Sequence, residues 1–178
     1  GVGALLTGQD INAPADLEAI RTTLHGFKPN VKLIWSSEDQ WNKAFAAGDF
    51  DVAIYWSGAA IRSKRTYNLP VEFIVPKEGA LGWLDGLHVP TTSEKKDDAL
   101  AFINWMIDPK FYVEWSTKVG APASANAVAL AQLPADDLNH QVHKPEYLSS
   151  LQFSAALPDE TRQAFNDLWE EVKAFYAA

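Results

Sequence analysis

Cysteine is absent from the 178 residues. Thiolate metal sites, thiol nucleophiles and disulfides are thereby excluded, although large secreted domains without disulfides leave the compartment open. No apolar run approaches the roughly 18 residues that a bilayer crossing requires. Positive charge is in short supply, with 15 Lys and Arg against 23 Asp and Glu and a net charge of −8. That balance argues against a nucleic-acid partner, because a phosphate backbone calls for a basic face, and it suits cationic partners weakly. Catalytic signatures are missing too: no Gly-x-Ser-x-Gly elbow, no Gly-rich loop before Lys-Ser/Thr and no His-Glu-x-x-His. Of the four His, His140 and His143 have a metal-like spacing but lie in a polar stretch without a clear third ligand, and read as solvated surface residues. His88 reads as a hydrogen-bonded structural residue and His25 carries no motif. No metal, cofactor or enzymatic activity is expected. A leader segment and an initiating Met are also lacking, so Gly1-Val2-Gly3 reads as the middle of a longer chain.

What is present is an ordinary soluble balance, 47% hydrophobic and 21% charged, carrying an unusual seven Trp. Most of these belong to cores, but a flat rigid ring also lines binding pockets at low entropy cost. Asn12, Pro14 and the Leu17, Ile20, Leu24 face predict a helix stopped by Gly26. Val31 to Trp35 reads as a strand, and Ser36 or Ser37 caps a helix carrying Trp41, Ala44 and Phe45. The apolar run Asp51 to Trp56 predicts a buried strand delivering Trp56 at its tip. A short helix over 59–67 places Arg62, Lys64 and Arg65 on its wet side. Val71 to Val75 and part of 81–89 read as strands. Two helices follow, one capped by Ser93 with an Ala99, Phe102, Ile103, Met106 face, the other by Asp108 with Pro109 at its first position. Residues 120–133 read as loop and short helix, 136–150 as polar and irregular, and Pro158-Asp159 opens a last helix with Phe165, Leu168, Trp169, Val172 and Phe175 as its stripe. Alternating strands and helices give the class α/β.

Two segments carry a resemblance: Ala53-Ile54-Tyr55-Trp56-Ser57-Gly58, and the run from Val75-Pro76-Lys77-Glu78-Gly79 through Trp83-Leu84-Asp85-Gly86 to Val89-Pro90. With Asp98 to Met106 and Asp108-Pro109 behind them, they resemble the periplasmic spermidine/putrescine-binding proteins, solute receptors of ABC importers. The resemblance implies an α/β fold of two lobes closing on the solute like a hinged clamp. It implies that 1–83 and 131–178 form one lobe, that 84–130 crosses into the other, and that the remainder of that second lobe precedes Gly1. It also implies that Trp56 and Trp83 are pocket aromatics, that Asp85 accepts an ammonium group, and that Gln152 is a late polar contact. A desolvated ammonium needs a carboxylate or an aromatic face in place of water, which is what these residue types supply. Implied partners are a small amine, a membrane permease and the missing N-terminal segment; the implied location is the periplasm, or the outer face of a Gram-positive membrane by a tether. Two departures bear on the solute. Ala59 stands where putrescine-type members place an Asp, and Ala121 where an aromatic is common, so an ω-amino acid such as GABA is the alternative ligand. Without the resemblance, Trp56 reads as core and Asp85 as a turn residue before Gly86. An iron receptor of similar architecture fits poorly, since the five Tyr are scattered. An enzyme on the same scaffold would need a nucleophile–base pair that is not visible.

Overall fold

Short polar side chains decide where the helices begin. In the computed structural model, which describes residues 1–178, the elements in chain order are α1 (Val2–Leu6), α2 (Leu17–Gly26), a 3₁₀ turn (Lys28–Asn30), α3 (Glu38–Ala46), α4 (Ser57–Thr66), β1 (Ala80–Gly82), α5 (Lys96–Met106), α6 (Pro109–Lys118), α7 (Ala127–Leu130), α8 (Leu138–Val142), α9 (Pro145–Leu148), β2 (Leu151–Phe153) and α10 (Asp159–Ala177). Asp16, Ser37, Asp108, Asn126 and Asp137 each accept a backbone N–H of the first turn behind them, satisfying donors that a helix start leaves orphaned. Asn12 does not cap. Its Nδ2 donates to the Phe153 carbonyl at 3.1 Å and its Oδ1 accepts from Ala155 N at 2.7 Å, so α2 starts later than expected. Ser93 accepts from Lys95 N, and α5 begins at Lys96.

The sheet is smaller than the apolar runs predict. β1 and β2 pair in parallel, with Leu81 opposite Gln152 and Gly82 opposite Phe153. Segments 31–35, 51–56 and 71–75 are extended but belong to no ladder. A strand is defined by its neighbour, because extended backbone leaves every N–H and C=O to be satisfied from outside the segment. Nor is 51–56 buried: Val52 is 86% and Ile54 68% exposed. The chain is thus helix-rich with one small parallel sheet.

It divides into two compact units. The first comprises 1–34, 75–83 and 149–178. Here α2 packs against both α1 and α10. Ala4, Ile11, Ile20, Leu168 and Val172 make the core, with Leu5, Leu17, Leu24 and Tyr176 around it. Each fully buried aliphatic chain of this kind contributes about 1.5–3 kcal/mol. Arg21 closes the rim with Nε 3.0 Å from Glu171 Oε2. Gly79 lies at φ +97°, and a Cβ there would sit 2.7 Å from the Ser150 carbonyl oxygen, so this turn admits only glycine without strain.

The second unit comprises 35–74 and 84–148. Residues 35–74 therefore group with the α5–α8 region rather than with 1–34. One of its cores is aromatic, built on Trp41, Ala60 and Val71 with Trp35, Phe45, Phe50, Tyr55, Leu69 and Phe73 around them. The other gathers Tyr112, Ala121, Ala129 and Leu133. Helix α4 is buried at Gly58 through Ile61 and at Ser63. Its basic residues are all paired; Lys64 and Arg65 are exposed, as expected, and Arg62 is half-buried. Arg62 grips Glu38 with two donors and gives a third to the Gly120 carbonyl at 3.2 Å. Lys64 pairs with Glu72, and Arg65 with Asp137 at 2.8 Å. The Asp137 side chain has no exposed surface; it also accepts from Ser116 Oγ and caps α8 through Asn139 N. Asn139, itself buried, donates to Ser116 Oγ and to the Ala121 carbonyl. The stretch expected to be irregular therefore holds a buried polar network and two short helices. By contrast, α5 has no buried residue: Leu100, Phe102 and Trp105 are each more than half exposed.

Candidate ligand-binding residues

Trp56 lies at the junction between an extended segment and a helix. As the residue preceding α4 it stays in the β region, and its carbonyl accepts from Ala60 N at 2.9 Å. The buried small face Gly58-Ala59-Ala60 holds the helix start in place. Gly58 lies so close to Pro122 that an added Cβ would be 3.0 Å from its Cα and N. The Trp56 indole is 44% exposed, which removes the core reading. Its ring packs edge-on against Trp35 with centroids 5.0 Å apart and planes at 86°.

Behind Trp56 stands a ladder of rings. Tyr55 stacks on Trp41 at 3.9 Å and 8°, and Trp41 on Phe45 at 4.9 Å. The Tyr55 hydroxyl lies 3.2 Å from Ser63 Oγ, which donates to Asn42 Oδ1 at 2.6 Å. Burial pushes the Tyr55 phenol above its ordinary pKa against the opposing pull of the Ser63 hydrogen bond, so it stays protonated and neutral.

Asp85, in the same unit, is exposed on the irregular stretch after β1 and makes no hydrogen bond or ion pair. Strand parity does not govern it, because β1 ends at Gly82. His88 is exposed beside it, with its ring 2.8 Å from where a Cβ on Gly86 would lie. In the other unit, Trp83 follows β1 directly and is 57% exposed. Gln152 is the exposed middle residue of β2, register partner of Leu81. Trp83, just past the end of β1, and Gln152, in β2, thus belong to one unit, while Trp56 and Asp85 lie in the other. Trp35 and Tyr55, which support Trp56, had no signal beyond their place in apolar runs. His140 and His143 are half-buried rather than solvated: His140 Nε2 is 3.4 Å from the Leu133 carbonyl, and burial lowers the His143 pKa, with a smaller push from His140 and an opposing backbone hydrogen bond at Ser124.

The comparisons with known proteins agree on a class. Residues 3–142 match the profile of the bacterial extracellular solute-binding proteins, and the chain belongs to that family. Within it, the spermidine/putrescine-binding resemblance read from the Trp56 and Trp83–Pro90 segments is borne out. The chain is 31% identical over 135 residues to spermidine/putrescine-binding periplasmic protein 1 of Haemophilus influenzae, covering 75% of this chain and 36% of that one. It is 28% identical over 172 residues to a putrescine-binding periplasmic protein of Pseudomonas aeruginosa, covering 93% and 46%. It is 30% identical over 154 residues to a putrescine-binding periplasmic protein of Escherichia coli, covering 83% and 41%. The chain therefore spans less than half the length of these curated relatives. No helix is long and apolar enough to cross a membrane.

Proposed function

We propose that this chain is part of a receptor that captures a small cationic amine, putrescine or spermidine, and delivers it unchanged to an ABC permease. What carries this reading is the likeness to the polyamine-binding relatives; Trp56 and Trp83 add half-exposed indoles and Asp85 an exposed carboxylate, the residue types an amine needs. Indole faces attract an ammonium through their quadrupole and pack against the methylenes between amines, and the carboxylate replaces lost hydration with a charge-assisted hydrogen bond. Gln152 would add a neutral polar contact beside Trp83. The names of the matched relatives support the same ligand class and a periplasmic site; a tether on the outer face of a Gram-positive cell membrane would be the equivalent location.

The whole receptor would be a two-lobe α/β clamp. Residues 1–83 and 131–178 would serve one lobe and 84–130 the other, with further chain completing the second. The share of the relatives' length supports this, as does the apolar face of α5, since exposed patches of that kind mark surfaces built to be covered. A second reading rests on Ala59, which is fully buried where an acidic residue would be needed for a second ammonium; it favours an ω-amino acid such as GABA. A thermal-shift series on the complete receptor tests both. Putrescine or spermidine should raise the melting temperature in proportion to ligand excess over Kd, with the amine recovered intact. A rise with GABA alone favours the second reading, and no rise with any amine overturns the proposal.

A further inference from the structure

The structure assigns Trp35 as the residue that positions Trp56, so that the ligand-facing indole is held ready before the amine arrives. This rests on the reading of Trp56 as a pocket aromatic. Residues 51–56 have no strand partner, so their backbone needs another anchor. Trp35 supplies one: its Nε1–H donates to the Ile54 carbonyl at 3.1 Å, two residues before Trp56. The same ring meets Trp56 edge-on at 5.0 Å and Tyr55 edge-on at 5.6 Å and 80°. Trp35 therefore grips the segment through its backbone and through two successive side chains. Tyr55 in turn is stacked on Trp41, which is 3% exposed, so the position of a half-exposed ring is referred to the buried core. Trp35 is Trp56's only ring contact. An indole already fixed in the free receptor loses less side-chain freedom on binding, which raises affinity without a new ligand contact.

The test is a double-mutant cycle on the complete receptor, with putrescine Kd by calorimetry and melting temperature for each variant. Trp56→Ala establishes the site. Trp35→Leu removes both the N–H and the ring, and should weaken putrescine binding by roughly two- to tenfold, as expected for an edge-to-face pair. Trp35→Phe keeps an aromatic edge and should recover part of that loss. In the Trp56→Ala background, Trp35→Leu should have no further effect, because a positioning residue acts only through what it positions. Incorporated 5-fluorotryptophan adds a readout of the Trp56 ring itself. The Trp56 ¹⁹F resonance, assigned by its loss in Trp56→Ala, should shift in the unliganded Trp35→Phe protein, which also serves if Trp35→Leu fails to fold. Loss of affinity with Trp56→Ala but none with Trp35→Leu or Trp35→Phe overturns this inference alone, as does an additive cycle. Unchanged affinity in Trp56→Ala overturns the pocket reading of Trp56 and the inference with it.

Discussion

At the scale of single residues, what separates a binding side chain from a packing one here is exposure combined with the absence of a partner. Asp137 and Asp85 are both carboxylates, but the first is enclosed and shared among Arg65, Ser116 and the α8 cap, whereas the second faces water alone. Their substitutions should diverge. Asp85→Asn keeps shape and removes charge; in the complete receptor it should leave folding intact and weaken amine affinity on the order of ten- to a hundredfold by calorimetry. Undiminished affinity would return Asp85 to a turn residue. Asp137→Ala should instead destabilise by about 2–4 kcal/mol in urea, because it leaves the buried Ser116 hydroxyl and the Asn139 N–H without their acceptor. His143 yields a pH prediction. Its folded pKa lies below the unfolded value, so the folded state resists protonation; stability is whole above the ordinary histidine range and falls as pH drops through it. Melting temperatures between pH 7.5 and 5.5 should fall less steeply in His143→Gln than in the parent.

At the scale of elements, small residues and turns carry the constraints that aromatic side chains then use. Helix α4 presents Trp56 at a defined angle because Gly58 allows it to lie against Pro122, and because Arg62 and Arg65, further along the same face, tie it to Gly120 and Asp137. The turn before β1 has a comparable point of failure. Gly79→Ala would impose a left-handed backbone on a residue with a Cβ and press it against Ser150 O, where β1 meets β2. We expect a loss of about 1–3 kcal/mol, read as a lower urea midpoint with an unchanged slope. A Gly79→Ala protein of parental stability would show that the turn relaxes elsewhere.

At the scale of the whole molecule, the two units have unequal surfaces. The first closes around one aliphatic core. The second keeps a row of tilted rings, Phe102, Trp105, Phe111 and Trp115, along α5 and α6, of which Phe102 and Trp105 are more than half exposed. If further receptor chain covers that row, Trp105→Glu should lower the melting temperature of the complete receptor by several degrees, as expected for a lost buried aromatic. The same change should improve solubility of these 178 residues alone. Equal melting temperatures of the Trp105→Glu and parent receptors would mean that the face stays exposed.

Much was legible in the sequence because it is local chemistry. Ser37 and Asp108 cap their helices whatever lies around them, Leu168 and Val172 of the expected α10 stripe are buried as its period predicts although Trp169 and Phe175 are exposed, and the motif segments around Trp56 and Trp83 to Pro90 identify the family without coordinates. What only the tertiary structure decided depends on partners distant in the chain. Apolar runs at 31–35, 51–56 and 71–75 look like strands, yet a ladder requires a neighbour and pattern alone cannot supply one. Asp137 and Asn139 look like solvated loop residues, but their polar atoms find Arg65, Ser116 and Ala121 at separations of 18 to 72 residues, and so can be buried. Trp35 is one more tryptophan in the sequence; its distance and angle to Trp56 and its hydrogen bond to Ile54 are properties of the folded chain.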